Sequence, residues 1–200
     1  MKKSKFISKS KEEAIKEACE SLQELEKDLV ITEKEVKQGL FGRKIEVEVI
    51  AKRDIIAFIK DYLKDITKKM GLEIDIETKY QEDVPTFIIY SNNNAILIGR
   101  NGQTLNALTT IVKGAVKEEI GMYYPFTIDV AEYKQKREKE LVRLAHNLAK
   151  EVKQTGVEIK LDPMNSYERR IIHNALTDDK EIFTESVGEE PHRAVMIKLR

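Results

Sequence analysis

Two glycines, Gly99 and Gly102, stand between two helix-like runs and constrain this chain more than any other feature. The apolar run Ala95-Ile96-Leu97-Ile98 leads into them, and Gln103 through Glu119 follows. Neither glycine has a Cβ, so the turn can take positive φ and lets another backbone approach closely. The amides opening the next helix, near Gln103 and Thr104, have no intrahelical acceptor and favour an anion. Arg100 adds a full positive charge, and Asn101 completes the turn. Ile98, Gly99, Arg100, Asn101, Gly102, Gln103 and Thr104 are therefore candidate contacts to a phosphate-bearing ligand. Other glycine-loop chemistries fail on residues. A Walker A loop ends in Gly-Lys-Ser/Thr, and Gly102-Gln103-Thr104 lacks the lysine. A dinucleotide fingerprint needs a third glycine within a parallel βαβ unit.

Glycine pairs also end helices with no ligand at all, so the neighbouring elements decide the reading. From Asp54 to Met70, apolar residues recur at Ile55, Ile59, Tyr62, Leu63, Ile66 and Met70, the stripe of a core-facing helix. Gly71 suits its C-terminal stop. Leu72, Ile74 and Ile76 alternate with acids, as a half-buried strand does. Thr86 to Tyr90, bounded by Pro85 and Asn92-Asn93-Asn94, reads as a second strand. Phe126, Ile128 and Val130 form a third after the long helix. The order helix, strand, strand, helix, GXXG, helix, strand resembles the bacterial (type II) KH domain, αββααβ. That resemblance implies a clamp on single-stranded RNA, or single-stranded DNA, with the backbone at Gly99 to Gly102. Its bases would lie on an apolar groove formed by Ile96, Ile98 and neighbouring strand residues.

Composition narrows the alternatives. Two hundred residues suit one or two ordinary domains or three very small ones. Formal net charge is zero, and basic and acidic side chains balance within residues 1–51, 52–131 and 132–200 alike. Strong unspecific affinity for duplex DNA is not expected of such a chain. Cys19 is the sole cysteine, so no disulfide forms within the chain. His146, His173 and His192 lack zinc-ligand spacing, and neither metal nor cofactor is expected. Met1-Lys2-Lys3 leads into no signal core, and no apolar run has membrane-spanning length. A cytoplasmic location without membrane insertion is expected. His173 has no nucleophile at motif spacing, so no enzyme is expected.

The first fifty residues read as a βαββ-like unit. Lys5-Phe6-Ile7 suggests a strand, and Ser10 with Glu13 has capping-box spacing. Ile15, Ala18, Leu22 and Leu25 mark a buried stripe. Glu33 to Lys37 and Ile45 to Val49 read as strands around Gly39-Leu40-Phe41-Gly42. Leu40 and Phe41 either fold back as a small core plug or form an apolar tip that docks a partner.

The last seventy residues open with a long helix, Tyr133 to Lys153. Leu141, Leu144, Ala145, Leu148 and Val152 share its face, and Gly156 ends it. After a short strand at Val157-Glu158-Ile159 comes Glu168-Arg169-Arg170-Ile171-Ile172-His173. Arg169 and His173 lie four apart and share a helix face, with Arg170 beside them and Ile172 and Leu176 turned to the core. Arginine offers several donors to phosphate, and histidine adds a donor or stacks on a base. Arg169 and Arg170 follow Glu168, and ion pairing of that kind on a solvated helix surface would contribute only about 0–1 kcal/mol to stability.

From Tyr133 through Gly188-Glu189-Glu190-Pro191-His192-Arg193, the chain resembles the R-three-H domain, named for an Arg and a His separated by three residues. With Lys37-Gln38-Gly39-Leu40-Phe41-Gly42 similar to a Jag-N motif, the whole chain resembles the Jag or KhpB family, SpoIIIJ-associated bacterial RNA-binding proteins. The resemblance implies an α+β protein of three modules: Jag-N-like at 1–51, KH at 52–131 and R-three-H (αβαββ) at 132–200. It assigns nucleic-acid contacts to Arg169, Arg170, His173 and Arg193. It implies a post-transcriptional role linked to cell-envelope growth and division, and pairing with a small KH protein or self-association. The alternative is a protein-interaction adaptor that uses both folds as docking surfaces. Two features depart from the common family pattern. Asn101 stands where a second basic residue is frequent, and Ala51-Lys52-Arg53 replaces a long charged linker.

Overall fold

The computed structural model describes residues 3–39 and 42–200. Leu40 and Phe41, the expected plug or docking tip, lie outside the described residues. The chain divides into two compact units, Met1–Asn93 with Leu105–Ile128, and Asn94–Thr104 with Asp129–Arg200.

The first unit begins with strand β1 (Ser4–Ser8) and helix α1 (Lys11–Leu22). The Ser10 hydroxyl accepts from the Glu13 amide at 3.2 Å, the N-cap expected from the capping-box spacing. Strands β2 (Leu29–Gly39) and β3 (Gly42–Ala51) complete an antiparallel sheet in the order β1-β3-β2. Both strands run beyond the segments Glu33 to Lys37 and Ile45 to Val49 that announced them, because pairing Leu29 with Ala51 through Val36 with Lys44 satisfies backbone groups that side-chain pattern does not report. Ala14 and Ala18 pack on Leu29, Val47, Val49 and Ala51, with the half-buried Cys19 and Leu22 at the border. Leu25 is 63% exposed, outside the stripe expected for it, because α1 ends at Leu22 and Gln23 takes a left-handed conformation.

Helix α2 (Lys52–Lys69) follows β3 directly. It buries Ile55, Ile59, Leu63 and Thr67, and the Thr67 hydroxyl donates to the Leu63 carbonyl at 2.9 Å. Met70 leaves the expected stripe and lies beyond the last helical residue. Strands β4 (Ile74–Gln81) and β5 (Val84–Ser91) form a hairpin whose two turn residues, Glu82 and Asp83, both have positive φ. Pro85 lies inside β5 rather than before it, since this two-residue turn carries the pairing to Gln81 and Val84. Helix α3 (Asn94–Ile98), helix α4 (Gln103–Ile120) and strand β6 (Thr127–Val130) follow, with sheet order β4-β5-β6. Phe87 and Phe126 meet edge to face, 6.0 Å between centroids.

The second unit is built on helix α5 (Tyr133–Thr155) and helix α6 (Ser166–Leu176). They pack with a sheet of β7 (Ile159–Lys160), β8 (Ile182–Val187) and β9 (Ala194–Leu199), ordered β7-β9-β8. Leu141, Ala145, Ala149, Val152, Ile172, Leu176, Ile182, Val195 and Ile197 form its core. Each large side chain buried there is worth about 1.5–3 kcal/mol. Leu144 turns outward at 40% exposure, and Ala149 takes an inward position instead. The element orders βαββ, αββααβ and αβαββ agree with the α+β architecture expected from the sequence.

Candidate nucleic-acid interface

Helix α3 is one turn long and ends because Gly99 leaves helical geometry at φ 69°, ψ −179°. Its amide still donates to the Ala95 carbonyl at 2.9 Å. A Cβ on Gly99 would collide with the Thr104 side chain and lie 2.9 Å from the Thr104 backbone nitrogen. Only glycine fits there. Arg100–Gly102 form a single 3-10 turn, with Asn101 left-handed at φ 50° and Gly102 at φ 74°. Asparagine is among the few non-glycine residues that tolerate this region. The Gly102 amide donates to the Gly99 carbonyl at 3.3 Å, and α4 starts at Gln103. Arg100 and Gln103 are exposed, Ile98, Asn101 and Thr104 half-buried, and Gly102 buried. Of the apolar residues ahead of the loop, Ile96 is 47% exposed and Leu97 fully buried.

The buried flank of this loop is covered by the start of α5. Ala131 and Glu132 both take left-handed φ, and the Asp129 carboxylate accepts from the Val130 and Lys134 amides at 2.8 and 3.2 Å. This turn sets the first residues of α5. A Cβ on Gly102 would lie 3.0 Å from Tyr133 Cε1, so the ring closes on the glycine. One turn later, Arg137 Nη2 donates to Asn101 Oδ1 at 3.3 Å and Nε donates to Glu168 Oε1 at 2.8 Å. Burial works against the Arg137 charge; the hydrogen bond and charge of Glu168 outweigh it and hold the pKa above its ordinary value.

Helix α6 is capped by Asn165, whose side-chain oxygen accepts from the Glu168 amide at 3.0 Å. Its amide nitrogen donates to Glu168 Oε2 at 3.0 Å. Glu168 is thus buried at 5% exposure with both carboxylate oxygens engaged.

Arg169 is not the solvent-facing cation expected from the sequence. It is 7% exposed, and Nη1 donates to the Met164 carbonyl at 2.7 Å and to Glu190 Oε1 at 2.9 Å. The face it shares with His173 looks onto strand β8 and the following loop. His173 Nδ1 lies 2.7 Å from Thr184 Oγ1, and Nε2 lies 2.9 Å from Ser186 Oγ. The hydroxyls can donate or accept, so a neutral imidazole is satisfied at both nitrogens. Burial, and then the Arg169 charge, push the His173 pKa below its ordinary 6.5. Arg170, beside them on α6, is exposed.

The loop Gly188–Arg193 carries exposed His192 and Arg193. It is pinned by the Arg169–Glu190 pair and by the Met164 amide, which donates to the Arg193 carbonyl at 3.1 Å. The structure therefore joins the candidate residues in two groups. Ile98 through Thr104 form one continuous loop, with Arg100 outward. Arg169 links α6 to the loop of Arg193, leaving Arg170, His192 and Arg193 exposed. Sequence reasoning missed Tyr133, Arg137 and Glu168 around the first group, and Thr184, Ser186 and Glu190 around the second. Tyr133 and Arg137 sit four apart, a spacing that marks a shared face but names no partner.

Fold and site define a protein that joins a KH-type glycine loop to an R-three-H helix. Residues 56–128 match the KhpA/KhpB KH domain family, and residues 139–199 match the R-three-H domain family. A Bacillus subtilis protein named RNA-binding protein KhpB is 36% identical over 162 residues, covering 80% of this chain and 78% of its own length. Proteins of the same name from Clostridium symbiosum and Lactiplantibacillus plantarum are 38% and 34% identical. Each covers 70% of this chain, which spans 64% and 44% of their respective lengths. The chain belongs to the KhpB family.

Proposed function

We propose that this chain binds single-stranded RNA through the Gly99–Gly102 loop and through the exposed cations around α6, without catalysing a reaction. The observation that carries this reading is the loop itself. It is a glycine turn covered on its Gly102 flank by Tyr133, in which Gly99 admits no side chain and Arg100 stands exposed beside the opening of α4. Arg100 neutralises backbone phosphate, and the turn lets that backbone approach. Arg170, His192 and Arg193 supply a second, weaker set of contacts. Arg169 and His173 hold that set in shape. The printed name of the relatives, RNA-binding protein KhpB, supports the same ligand. A division into three modules at 1–51, 52–131 and 132–200 rests on the family resemblance. A role in the cytoplasm, after transcription and linked to envelope growth and division, rests on the family resemblance. Pairing with a small KH protein rests on the shared KhpA/KhpB domain family. Among the described residues, no helix is long and apolar enough to cross a membrane.

The internal engagement of Arg169 and His173 favours a second reading, an adaptor in which the R-three-H fold is a docking surface. Titration of the whole chain with single-stranded RNA at several salt concentrations separates the two. The RNA reading expects affinity that falls with salt and drops at least tenfold on Arg100→Asp at unchanged melting temperature. Salt-independent or undetectable binding leaves the adaptor.

A further inference from the structure

We infer that Arg137 is a positioning residue for the glycine loop, a strut that ties Asn101 to the first turn of α6. The chain of bonds is continuous. Arg137 Nη2 reaches Asn101 Oδ1, and Nε reaches Glu168 Oε1. Glu168 Oε2 is held by Asn165, which also caps α6. The Arg137 side chain is 20% exposed and that of Glu168 is 6% exposed, so this ion pair is largely shielded from screening. Tyr133, one turn earlier on α5, closes on Gly102. Asn101 and Gly102 are therefore gripped from α5, while Arg100 remains exposed.

The loop has reason to need this support. Gly99, Asn101 and Gly102 all take positive φ, and the glycines have wide conformational freedom when unconstrained. A loop of this kind loses entropy when a ligand orders it, and prior fixing reduces that loss. The strut also explains the residue at 101. Asparagine tolerates the left-handed conformation and offers an oxygen to Arg137, whereas lysine or arginine would bring a second cation against the guanidinium. Arg137 acts through Asn101, and ligand contact is left to Arg100 and the loop backbone.

Consequences for affinity rest on the RNA reading above; the strut itself is tested without RNA. Arg137→Ala would leave Glu168 buried beside a missing partner, so two gentler variants are preferable. Asn101→Gly removes the acceptor but keeps the left-handed turn. Arg137→Gln combined with Glu168→Gln removes both charges and leaves no carboxylate unpaired. Amide hydrogen exchange on the whole chain should quicken severalfold at Gly102 and Gln103 in both variants, with α6 amides at Ile172 and Leu176 unchanged. Asn101→Asp should keep these loop amides as slow as in the parent, because Arg137 bonds a carboxylate as well. Exchange at Gly102 and Gln103 that matches the parent in both variants would overturn the strut. For single-stranded RNA of about four nucleotides, the span of such a loop, each variant should weaken binding about fivefold, the worth of one hydrogen bond. The two combined should lose no more than either alone, and losses that multiply would also overturn it. Quickened exchange with no RNA bound by the parent would uphold the strut and reject the RNA reading.

Discussion

Arg169 Nη1 donates to Glu190 Oε1 at 2.9 Å, so the arginine of the Arg-x-x-x-His signature fastens α6 to the loop that presents His192 and Arg193. The same nitrogen donates to the Met164 carbonyl at 2.7 Å. A guanidinium with these partners at 7% exposure is part of the fold's interior.

Arg169→Ala should therefore destabilise the chain by about 2–3 kcal/mol, since it strips a buried carbonyl and a carboxylate of a charged donor. Arg170→Ala, on the exposed side, should stay within about 0.5 kcal/mol of the parent. Urea unfolding of the two variants measures the contrast. Equal, small losses would mean that Arg169 stands in solvent.

His173 should make stability pH-dependent. Its folded pKa lies below the ordinary 6.5 because burial, then Arg169, disfavour the cation. Below pH 6.5 the unfolded chain takes up a proton that the folded chain refuses, so stability is complete above that pH and falls as pH drops toward the folded value. Melting temperatures between pH 7.5 and pH 5 should decline, and His173→Gln should flatten this part of the profile. A His173 carbon shift, followed by NMR, that titrates at or above 6.5 would contradict the packing against Thr184 and Ser186.

Two alanine substitutions should have opposite signs. Gly99→Ala meets Thr104 and a positive φ, and should cost about 1–3 kcal/mol. Gly114 lies within α4, and a Cβ added there would meet nothing within 4 Å, so Gly114→Ala should stabilise by about 0.5–1 kcal/mol. Thermal unfolding of the pair tests whether the glycine loop is as tight as its geometry indicates.

Removing Arg170 and Arg193 together should weaken RNA binding only in part, because the loop at Gly99–Gly102 remains. The deficit should grow with strand length, since only a long strand spans both sets of contacts. The dependence of affinity on salt should flatten by roughly one phosphate per lost cation. Affinities for a short and a long single-stranded RNA at two salt concentrations check this. Parent-like binding of the long strand would remove the second set of contacts from the interface.

Much of the scaffold was legible in the residues. Alternation at Ile74 and Ile76 and the capping pair Ser10 and Glu13 each reported a local preference that survived folding. Gly99 and Gly102 marked the loop because both take positive φ, which glycine adopts without steric cost. Periodicity was less faithful at edges: Met70, Leu25 and Leu144 matched helical stripes yet are exposed, since a stripe does not know where its helix ends or what covers it.

By itself, the sequence determined the order of elements, the place of the glycine loop and the shared face of Arg169 and His173, because these follow from steric limits and helical geometry along a few residues. Only the tertiary structure decided what that face meets. Glu190 approaches Arg169 across 21 positions, Ser186 approaches His173 across 13, and Arg137 approaches Asn101 across 36. A four-residue spacing is the same whether it looks onto water or onto a strand, and the two cases differ only after β8, β9 and α5 have packed. The desolvation that converts a surface cation into a structural clamp arises at that step.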